Sequence, residues 1–171
     1  KRRELALDIG AHCGLWAKTL VQLFDHVEAF EPVREHRECF TLNVRSGNYT
    51  LHEVALGASE SMGTMHVTQG SSANSYVEPG ADIRVRKLDS YKLAPDFIKI
   101  DTEGFELYVC QGGEQTIKTH KPVLIVEQKP SGHQSSATKY GITDTAAIDL
   151  LTSWGYQVRE VLAGDYILTC N

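Results

Sequence analysis

Residues 5–14 read Leu-Ala-Leu-Asp-Ile-Gly-Ala-His-Cys-Gly, and this stretch decides the fold. Its first five residues form a short, mostly apolar run that stops at Gly10, which is typical of a buried β-strand followed by a tight turn. In residues 15–24 the apolar side chains recur at spacings of three and four, which predicts a helix. The stretch therefore predicts a strand, a glycine turn and a helix, the first part of a βαβ unit.

Strands and helices continue to alternate along the rest of the chain. The predicted strands are 27–30, 51–56, 62–67, 83–88, 97–100 and 123–127, with a hairpin at 156–161 and 166–169; the predicted helices are 33–44, 106–111, 114–119 and 145–154. This alternation indicates an α/β fold, a doubly wound and mostly parallel sheet, to which the hairpin adds an antiparallel edge. We find no internal repeat and no linker, so residues 1–171 are expected to form a single domain.

The composition is that of an ordinary globular domain. The chain has 171 residues, 42% of them hydrophobic and 23% charged, with a net charge of −5. Its basic residues are scattered, which disfavours a nucleic-acid partner because phosphate binding needs a concentrated basic face. The sequence contains no apolar run long enough for a membrane span and no signal-peptide pattern, so a cytoplasmic location is expected. The four cysteines are far apart, which argues against a disulfide framework or a zinc site.

The first turn is the expected ligand site, because doubly wound sheets bind ligands beyond the carboxyl ends of their strands. Gly10 and Gly14 suit a tight turn and a closely packed helix. Glu31, seventeen residues after Gly14, suits a carboxylate that accepts hydrogen bonds from both hydroxyls of a ribose. His12 replaces the middle glycine of a dinucleotide fingerprint, and Asp8 would repel a pyrophosphate. Asp8 suits instead a ligand that carries an ammonium group, such as the methionine end of S-adenosylmethionine.

Two other interpretations of this turn stay open. A hydride-transfer dinucleotide is disfavoured by the missing glycine, yet it uses the same kind of turn. Alternatively, each residue has only a structural role: Asp8 is a partner for the helix N-terminus and Glu31 is a solvated strand end, while the glycines serve the turn alone.

Five segments carry a resemblance to a known family: LALDIGAHCGLW (5–16), EAFEP (28–32), HEVALG (52–57), DFIKIDTEGFELYVCQGGEQTI (96–117) and KPVLIVEQ (121–128). They resemble the FkbM family of methyltransferases, in the expected order and over about residues 5–130. The segment from Lys99 to Gly113 is the most distinctive, because general methyltransferases seldom carry Ile-Asp-x-Glu-Gly-x-Glu at this place.

The resemblance implies a class I methyltransferase fold, which is Rossmann-like, with S-adenosylmethionine as methyl donor and S-adenosylhomocysteine as product. It also implies O-methylation of a sugar, glycan or natural-product hydroxyl, so the partner would be a small-molecule or glycan acceptor. Asp8, Gly10 and Gly14 would hold the methionine part and Glu31 the ribose, while Val54, Ala55 and Leu56 would lie beside the adenine. The full predicted cofactor set is Asp8, Gly10, Ala11, His12, Gly14, Glu31, Pro32, Val54, Ala55 and Leu56. The chain departs from the family at His12, where asparagine is usual, and in lacking the usual N-terminal extension, which leaves the acceptor open.

Methyl transfer needs an aligned acceptor and a group that accepts its proton. Asp101, directly after the predicted strand 97–100, is the best candidate for acceptor contact or general base, and Glu103 is a second carboxylate for the same cleft. Both would alternatively cap local backbone donors. Lys99 is expected either to form an ion pair or to reach the acceptor.

Two further candidates follow the predicted strand 123–127. Glu127 ends that strand and points toward the cleft mouth, and His133 lies in the next loop with a side chain that suits proton removal near neutral pH. Asp101, Glu103 and Glu127 could also supply the oxygen ligands that Mg²⁺ or Ca²⁺ prefers, although we assign no metal site from the sequence. Other acceptors, namely RNA, protein or a nitrogen centre, and a non-catalytic domain that binds S-adenosylmethionine, are the competing functions.

Overall fold

The computed structural model describes residues 2–66, 76–128 and 136–170. In these residues the strands β1 to β11 are Leu5–Ile9, His26–Phe30, Tyr49–His52, Ala55–Leu56, Ser61–His66, Tyr76–Pro79, Ile83–Arg86, Phe97–Ile100, Val123–Glu127, Tyr156–Leu162 and Asp165–Cys170. The helices α1 to α5 are Leu15–Leu23, Arg34–Asn43, Glu106–Gly112, Glu114–His120 and Ala146–Ser153. Short 3₁₀ helices occupy Leu88–Tyr91 and Ser136–Tyr140.

Seven strands form the large sheet, in the order β10-β11-β9-β8-β1-β2-β3. The pairs from β9 through β3 are parallel, whereas β11 runs antiparallel to both β9 and β10. The predicted α/β fold, with a mostly parallel sheet and an antiparallel C-terminal hairpin, is therefore confirmed. From β1 the chain moves to β2 on one side and only much later to β8 on the other, so the strand order reverses at β1. Ligands of such sheets bind at this switch point.

The central strand β1 is buried on both faces. Leu7 and Ile9 belong to an apolar cluster that includes residues of α3, α4 and α5. Ala6, on the opposite face, packs with Leu20 of α1. Burial on both faces explains why this strand reads as a nearly continuous apolar run.

Four strands form a second, small sheet in the order β4-β7-β5-β6. The prediction of a single strand over 51–56 is therefore wrong. The run is split: β3 ends at His52 in the large sheet, and β4 begins at Ala55 and pairs with β7 in the small sheet. The break falls at Glu53 and Val54, and only Ala55 and Leu56 of this run are buried. The small sheet packs Ala55, Val77 and Val85 together, with Phe105 of the loop before α3 against them.

The remaining predicted elements differ from the structure mainly at their ends. The predicted strand 83–88 stops at Arg86, since Leu88 starts a 3₁₀ helix and is completely buried. The strand β6 was not predicted, and residue 67 of the predicted strand 62–67 lies outside the described residues. None of the helices described is long and apolar enough to cross a bilayer. The cytoplasmic location stays a prediction.

Candidate functional site

A cavity of about 250 Å³ opens at the carboxyl ends of β1, β2 and β8, with the small sheet on its other side. Eight of the ten predicted cofactor residues line it: Gly10, Ala11, His12, Glu31, Pro32, Val54, Ala55 and Leu56. Lys99, Asp101 and Glu103 line it as well, and Asp8 and Gly14 do not. His133 lies outside the described residues. The structure thus brings eight of the ten predicted cofactor residues and three of the five predicted catalytic residues to one cavity.

The turn between β1 and α1 depends on two glycines with left-handed backbone conformations. Gly10 has φ 77°, and a Cβ placed on it would lie 1.8 Å from the carbonyl oxygen of Asp101. Gly14 has φ 80°, and its Cβ would lie 2.7 Å from Cγ2 of Val44, just after α2. Gly10 therefore lets the turn lie directly against the end of β8, and Gly14 lets α1 pack closely on the α2 region, as the sequence predicts. His12 is also left-handed, with φ 48°.

Glu31 is buried, and its carboxylate organises the rim of the cavity. One oxygen accepts the backbone N–H of His12 at 2.8 Å, and the other accepts that of Val33 at 2.8 Å. His36 Nδ1 lies 3.3 Å from the second oxygen. The interpretation of Glu31 as a solvated strand end is therefore wrong, because the side chain is 6% exposed. A carboxylate has about four acceptor positions, so hydrogen bonds to ribose hydroxyls remain compatible with these contacts.

Lys99 connects three parts of the site. Its side chain is 5% exposed, and Nζ lies 3.5 Å from Oδ1 of Asp8 and 3.2 Å from Oδ2 of Asp101. It also donates a hydrogen bond of 3.0 Å to the carbonyl of Gly10. Of the two predicted roles, the structure shows the ion pair. Asp8, with a side chain that is 0% exposed, faces Lys99 and not the cavity; its predicted contact with a methionine ammonium stays a prediction.

The ionisation of this cluster follows from its burial and its charges. Burial raises the pKa of the Asp8 carboxyl, and the attraction of Lys99 offsets only part of that effect. Burial alone would lower the pKa of Lys99, but Asp8 and Asp101 raise it more, so its pKa lies above the ordinary lysine value. Lys99 is therefore an ammonium ion at neutral pH, and Asp101, 31% exposed, presents its carboxylate to the cavity.

The conformation of the loop after β8 is fixed by hydrogen bonds to the carboxylate of Glu106. One carboxylate oxygen of Glu106 accepts the backbone N–H groups of Thr102 and Gly104, at 2.8 and 3.0 Å, and the hydroxyl of Thr102 at 3.0 Å. Glu103 has φ 54° in this loop. Glu106 lies in the first turn of α3, as predicted, but the sequence did not indicate its role in holding the loop. Burial raises the pKa of Glu106 despite these hydrogen bonds.

Three partly buried carboxylates meet beside the cavity. Asp101, Glu103 and Glu127 each offer an oxygen, and these oxygens lie within 4.8 Å of one another. These are the three residues for which the sequence suggested hard oxygen ligands. Their separation suits ligands of a single divalent cation, for which carboxylates are the usual donors.

The small sheet supplies an apolar wall that the sequence did not predict. Met65, Val77 and Phe105 line the cavity opposite the glycine turn. The hydroxyl of Tyr140 accepts the N–H of Val77 at 3.1 Å and donates to its carbonyl at 2.9 Å, so this wall is tied to the 3₁₀ helix 136–140. The two residues are 63 positions apart, and no local sequence pattern links them.

Comparison with known proteins gives one family and a consistent fold. The family model described as "Methyltransferase FkbM domain" matches residues 8–158. No curated protein sequence matches significantly. Among solved structures, methyltransferase FkbM from Methylobacillus flagellatus KT is similar, with a TM-score of 0.63 and 23% identity, over 97% of this chain and 43% of that one. The chain therefore spans less than half the length of this relative.

Two further structures support the fold alone. A putative S-adenosylmethionine-dependent methyltransferase from Listeria monocytogenes has a TM-score of 0.58 and 9% identity, over 99% of this chain and 91% of that one. The N-methyltransferase NodS from Bradyrhizobium japonicum WM9, in complex with S-adenosyl-L-homocysteine, has a TM-score of 0.54 and 11% identity, over 98% of this chain and 76% of that one.

Proposed function

Because the chain belongs to the FkbM methyltransferase family, we propose that it moves a methyl group from S-adenosylmethionine to a hydroxyl of a small-molecule or glycan acceptor. One observation carries this proposal. Eight predicted cofactor residues and the candidate base Asp101 line a single cavity at the switch point of the large sheet.

The cofactor residues divide by chemistry. The turn from Gly10 to His12 would offer backbone groups to the methionine part, and Glu31 would accept hydrogen bonds from the ribose hydroxyls. Val54, Ala55 and Leu56 offer an apolar surface for the adenine. Bound S-adenosylmethionine would supply the methyl group on a sulfonium, which is already a good leaving group.

The chain itself has to orient the acceptor oxygen and take up its proton. Asp101 lies at the end of β8 and faces the cavity, and Lys99 holds its Oδ2. We therefore assign Asp101 as the general base. Glu103 lies beside it and supplies a second acceptor for hydroxyl groups.

The charge of the cavity supports a neutral acceptor. Among the described residues that line it, Lys99 is the only lysine or arginine, and its ammonium group already contacts two carboxylates. Asp101 and Glu103 would repel phosphate or carboxylate groups of an acceptor. This distribution favours a hydroxyl compound over RNA, the alternative that the sequence left open.

The cofactor claim is tested by calorimetric titration with S-adenosylmethionine, S-adenosylhomocysteine and NAD in parallel. We expect both adenosyl compounds to bind and NAD not to bind; the reverse result would refute the proposal. Glu31→Ala should weaken S-adenosylhomocysteine binding by about 1–3 kcal/mol, because the charged hydrogen bonds to the ribose are lost. Unchanged affinity in a folded Glu31→Ala protein would remove Glu31 from the site.

The role of Asp101 is tested by acceptor-dependent release of S-adenosylhomocysteine with a panel of sugars and other hydroxyl compounds. Once an acceptor is found, Asp101→Asn should retain cofactor binding and lose methyl transfer by about 100-fold or more, the usual contribution of a general base. Asp82→Asn, an exposed aspartate of the turn before β7, is the control and should keep full activity. Full activity of Asp101→Asn would exclude it as the base.

A second form of the reaction is favoured by the three adjacent carboxylates. A divalent cation held by Asp101, Glu103 and Glu127 would orient an acceptor hydroxyl and lower its pKa. In that case EDTA should abolish turnover, Mg²⁺ should restore it, and Glu127→Gln should weaken Mn²⁺ binding measured by electron paramagnetic resonance. Turnover that is insensitive to EDTA, together with no Mn²⁺ binding, would exclude the cation.

A further inference from the structure

We propose that His36 is a positioning residue for the cofactor: it holds the carboxylate of Glu31 so that Oε2 of Glu31 is presented to the ribose hydroxyls. The proposal rests on the proposed function, because it takes the ligand to be an adenosyl compound whose ribose binds Glu31. Glu31 directly follows β2, and His36 lies in the first turn of α2.

His36 occupies the buried face of α2. The buried residues of this helix are His36 and Phe40, four positions apart, and the side chain of His36 is 8% exposed. An apolar side chain would be enough to pack this face, since burial of a polar group costs free energy unless it forms a hydrogen bond. The imidazole forms that hydrogen bond with Glu31, and both residues line the cavity.

The geometry identifies the donor and the oxygen that it holds. Nδ1 of His36 lies 3.3 Å from Oε1 of Glu31, and because a carboxylate only accepts hydrogen bonds, Nδ1 carries the hydrogen. Oε1 also accepts the backbone N–H of Val33 at 2.8 Å, whereas Oε2 accepts that of His12 at 2.8 Å. In the described part of the chain Oε1 thus has two donors and Oε2 has one. More acceptor capacity is therefore left at Oε2 for a ligand.

His12 supports the same arrangement from the glycine turn. Its backbone N–H is the donor to Oε2, and its ring packs edge to face against the ring of His36, with centroids 4.2 Å apart. The two histidines therefore hold the two oxygens of one carboxylate and contact each other. The ring at the position of the middle glycine of a dinucleotide fingerprint is thus used for packing inside the site.

The backbone next to the carboxylate is held separately. Arg37 donates hydrogen bonds to the carbonyl of Glu31 at 3.2 Å and to the carbonyl of Pro32 at 2.6 Å. Replacement of His36 should therefore release the carboxylate of Glu31 while the end of β2 keeps its position. The loss should appear only in the affinity for ligands that carry the ribose hydroxyls.

The test compares S-adenosylhomocysteine with its 2′,3′-dideoxy analogue, which lacks both ribose hydroxyls, by calorimetric titration. His36→Leu removes the donor and keeps an apolar side chain on the buried face of α2, and His36→Met takes its place if that variant does not fold. His36→Asn keeps an N–H donor, because its amide nitrogen can occupy the position of Nδ1. His120→Leu, at an exposed histidine that ends α4, is the control. Circular dichroism and urea unfolding establish that each variant is folded.

We expect His36→Leu to bind S-adenosylhomocysteine about 5- to 20-fold more weakly than wild type, as for the loss of one hydrogen bond to a charged group. Its affinity for the dideoxy analogue should be unchanged. His36→Asn should recover most of the affinity for S-adenosylhomocysteine, and His120→Leu should bind both ligands as wild type does.

Other results would overturn the proposal. Equal losses for both ligands in His36→Leu would show a role confined to packing, and unchanged affinity for S-adenosylhomocysteine would show that Glu31 needs no support from His36. A wild type that binds both ligands equally would separate Glu31 from the ribose, while the adenosyl cofactor would still stand. A wild type that binds neither ligand would refute the proposed function together with this proposal.

Discussion

Replacing Gly10 by alanine should separate the end of β1 from the end of β8 and thereby damage the cavity. A Cβ at this position lies 1.8 Å from the carbonyl oxygen of Asp101, whereas real Cβ atoms essentially never approach closer than 3.0 Å. The obstacle is backbone in the middle of the large sheet, so it cannot move aside as a flexible side chain would. Either the turn or the strand end has to shift by more than about 1 Å.

The expected magnitude has two parts. The left-handed φ of 77° at Gly10 costs alanine about 1–2 kcal/mol. Overpacking in a rigid core costs about another 1–3 kcal/mol and occasionally more. Gly141→Ala is a matched control, because Gly141 has φ 68° with nothing within 4 Å of its Cβ position. That variant measures the backbone strain alone, and the difference between the two variants measures the steric clash.

Both variants are compared by urea unfolding monitored by circular dichroism and by titration with S-adenosylhomocysteine. We expect Gly10→Ala to lose about 2–5 kcal/mol of unfolding free energy and all measurable cofactor binding. Gly141→Ala should lose about 1–2 kcal/mol and bind normally. If the two variants were equally stable and bound the cofactor equally well, the close approach of Gly10 to Asp101 would have no importance for this site.

Two further predictions concern the walls of the cavity. Burial raises the pKa of Glu106 in the folded protein, so its contribution to stability is fully present below about pH 4.5 and declines as the pH rises above that value. The unfolding free energy of Glu106→Gln relative to wild type should therefore increase between pH 4 and 7 in urea titrations; a constant difference would contradict the assignment, and Glu35→Gln on the exposed face of α2 serves as control. Tyr140→Phe removes both hydrogen bonds to the backbone of Val77 and should cost about 1–3 kcal/mol in thermal or urea unfolding. Tyr108→Phe in the same aromatic cluster should cost less, and equal costs would show that the hydroxyl of Tyr140 is unimportant.

The sequence predicted the large sheet well, because periodicity reports how each segment is buried. The strand at Leu5–Ile9, the following glycine turn and helix, and the antiparallel hairpin were all recognised from local patterns. The same patterns do not report which sheet a segment joins. The run 51–56 was therefore interpreted as one strand, although residues after His52 cross to the small sheet.

The sequence predicted which residues belong to the site better than it predicted the contacts between their side chains. Glu31 and Asp101 could be identified because each directly follows a buried strand. The three partners of Lys99 come from β1, the glycine turn and the end of β8, and only the strand register brings them together. The orientation of Asp8 toward Lys99, away from the cavity, therefore could not be derived from spacing alone.

The strands of the large sheet and of the small sheet form separate hydrogen-bond networks in the described residues. The two walls of the cavity can therefore vary independently in sequence. Met65 and Val77 lie on β5 and β6, which pair only within the small sheet in the part of the chain described. The glycine turn and Glu31 belong to the large sheet. Substitutions at Met65 and Val77 should therefore change one wall of the cavity while the glycine turn and Glu31 keep their positions. Libraries randomised at Met65 and Val77 are the natural starting point for changing the acceptor of the proposed reaction.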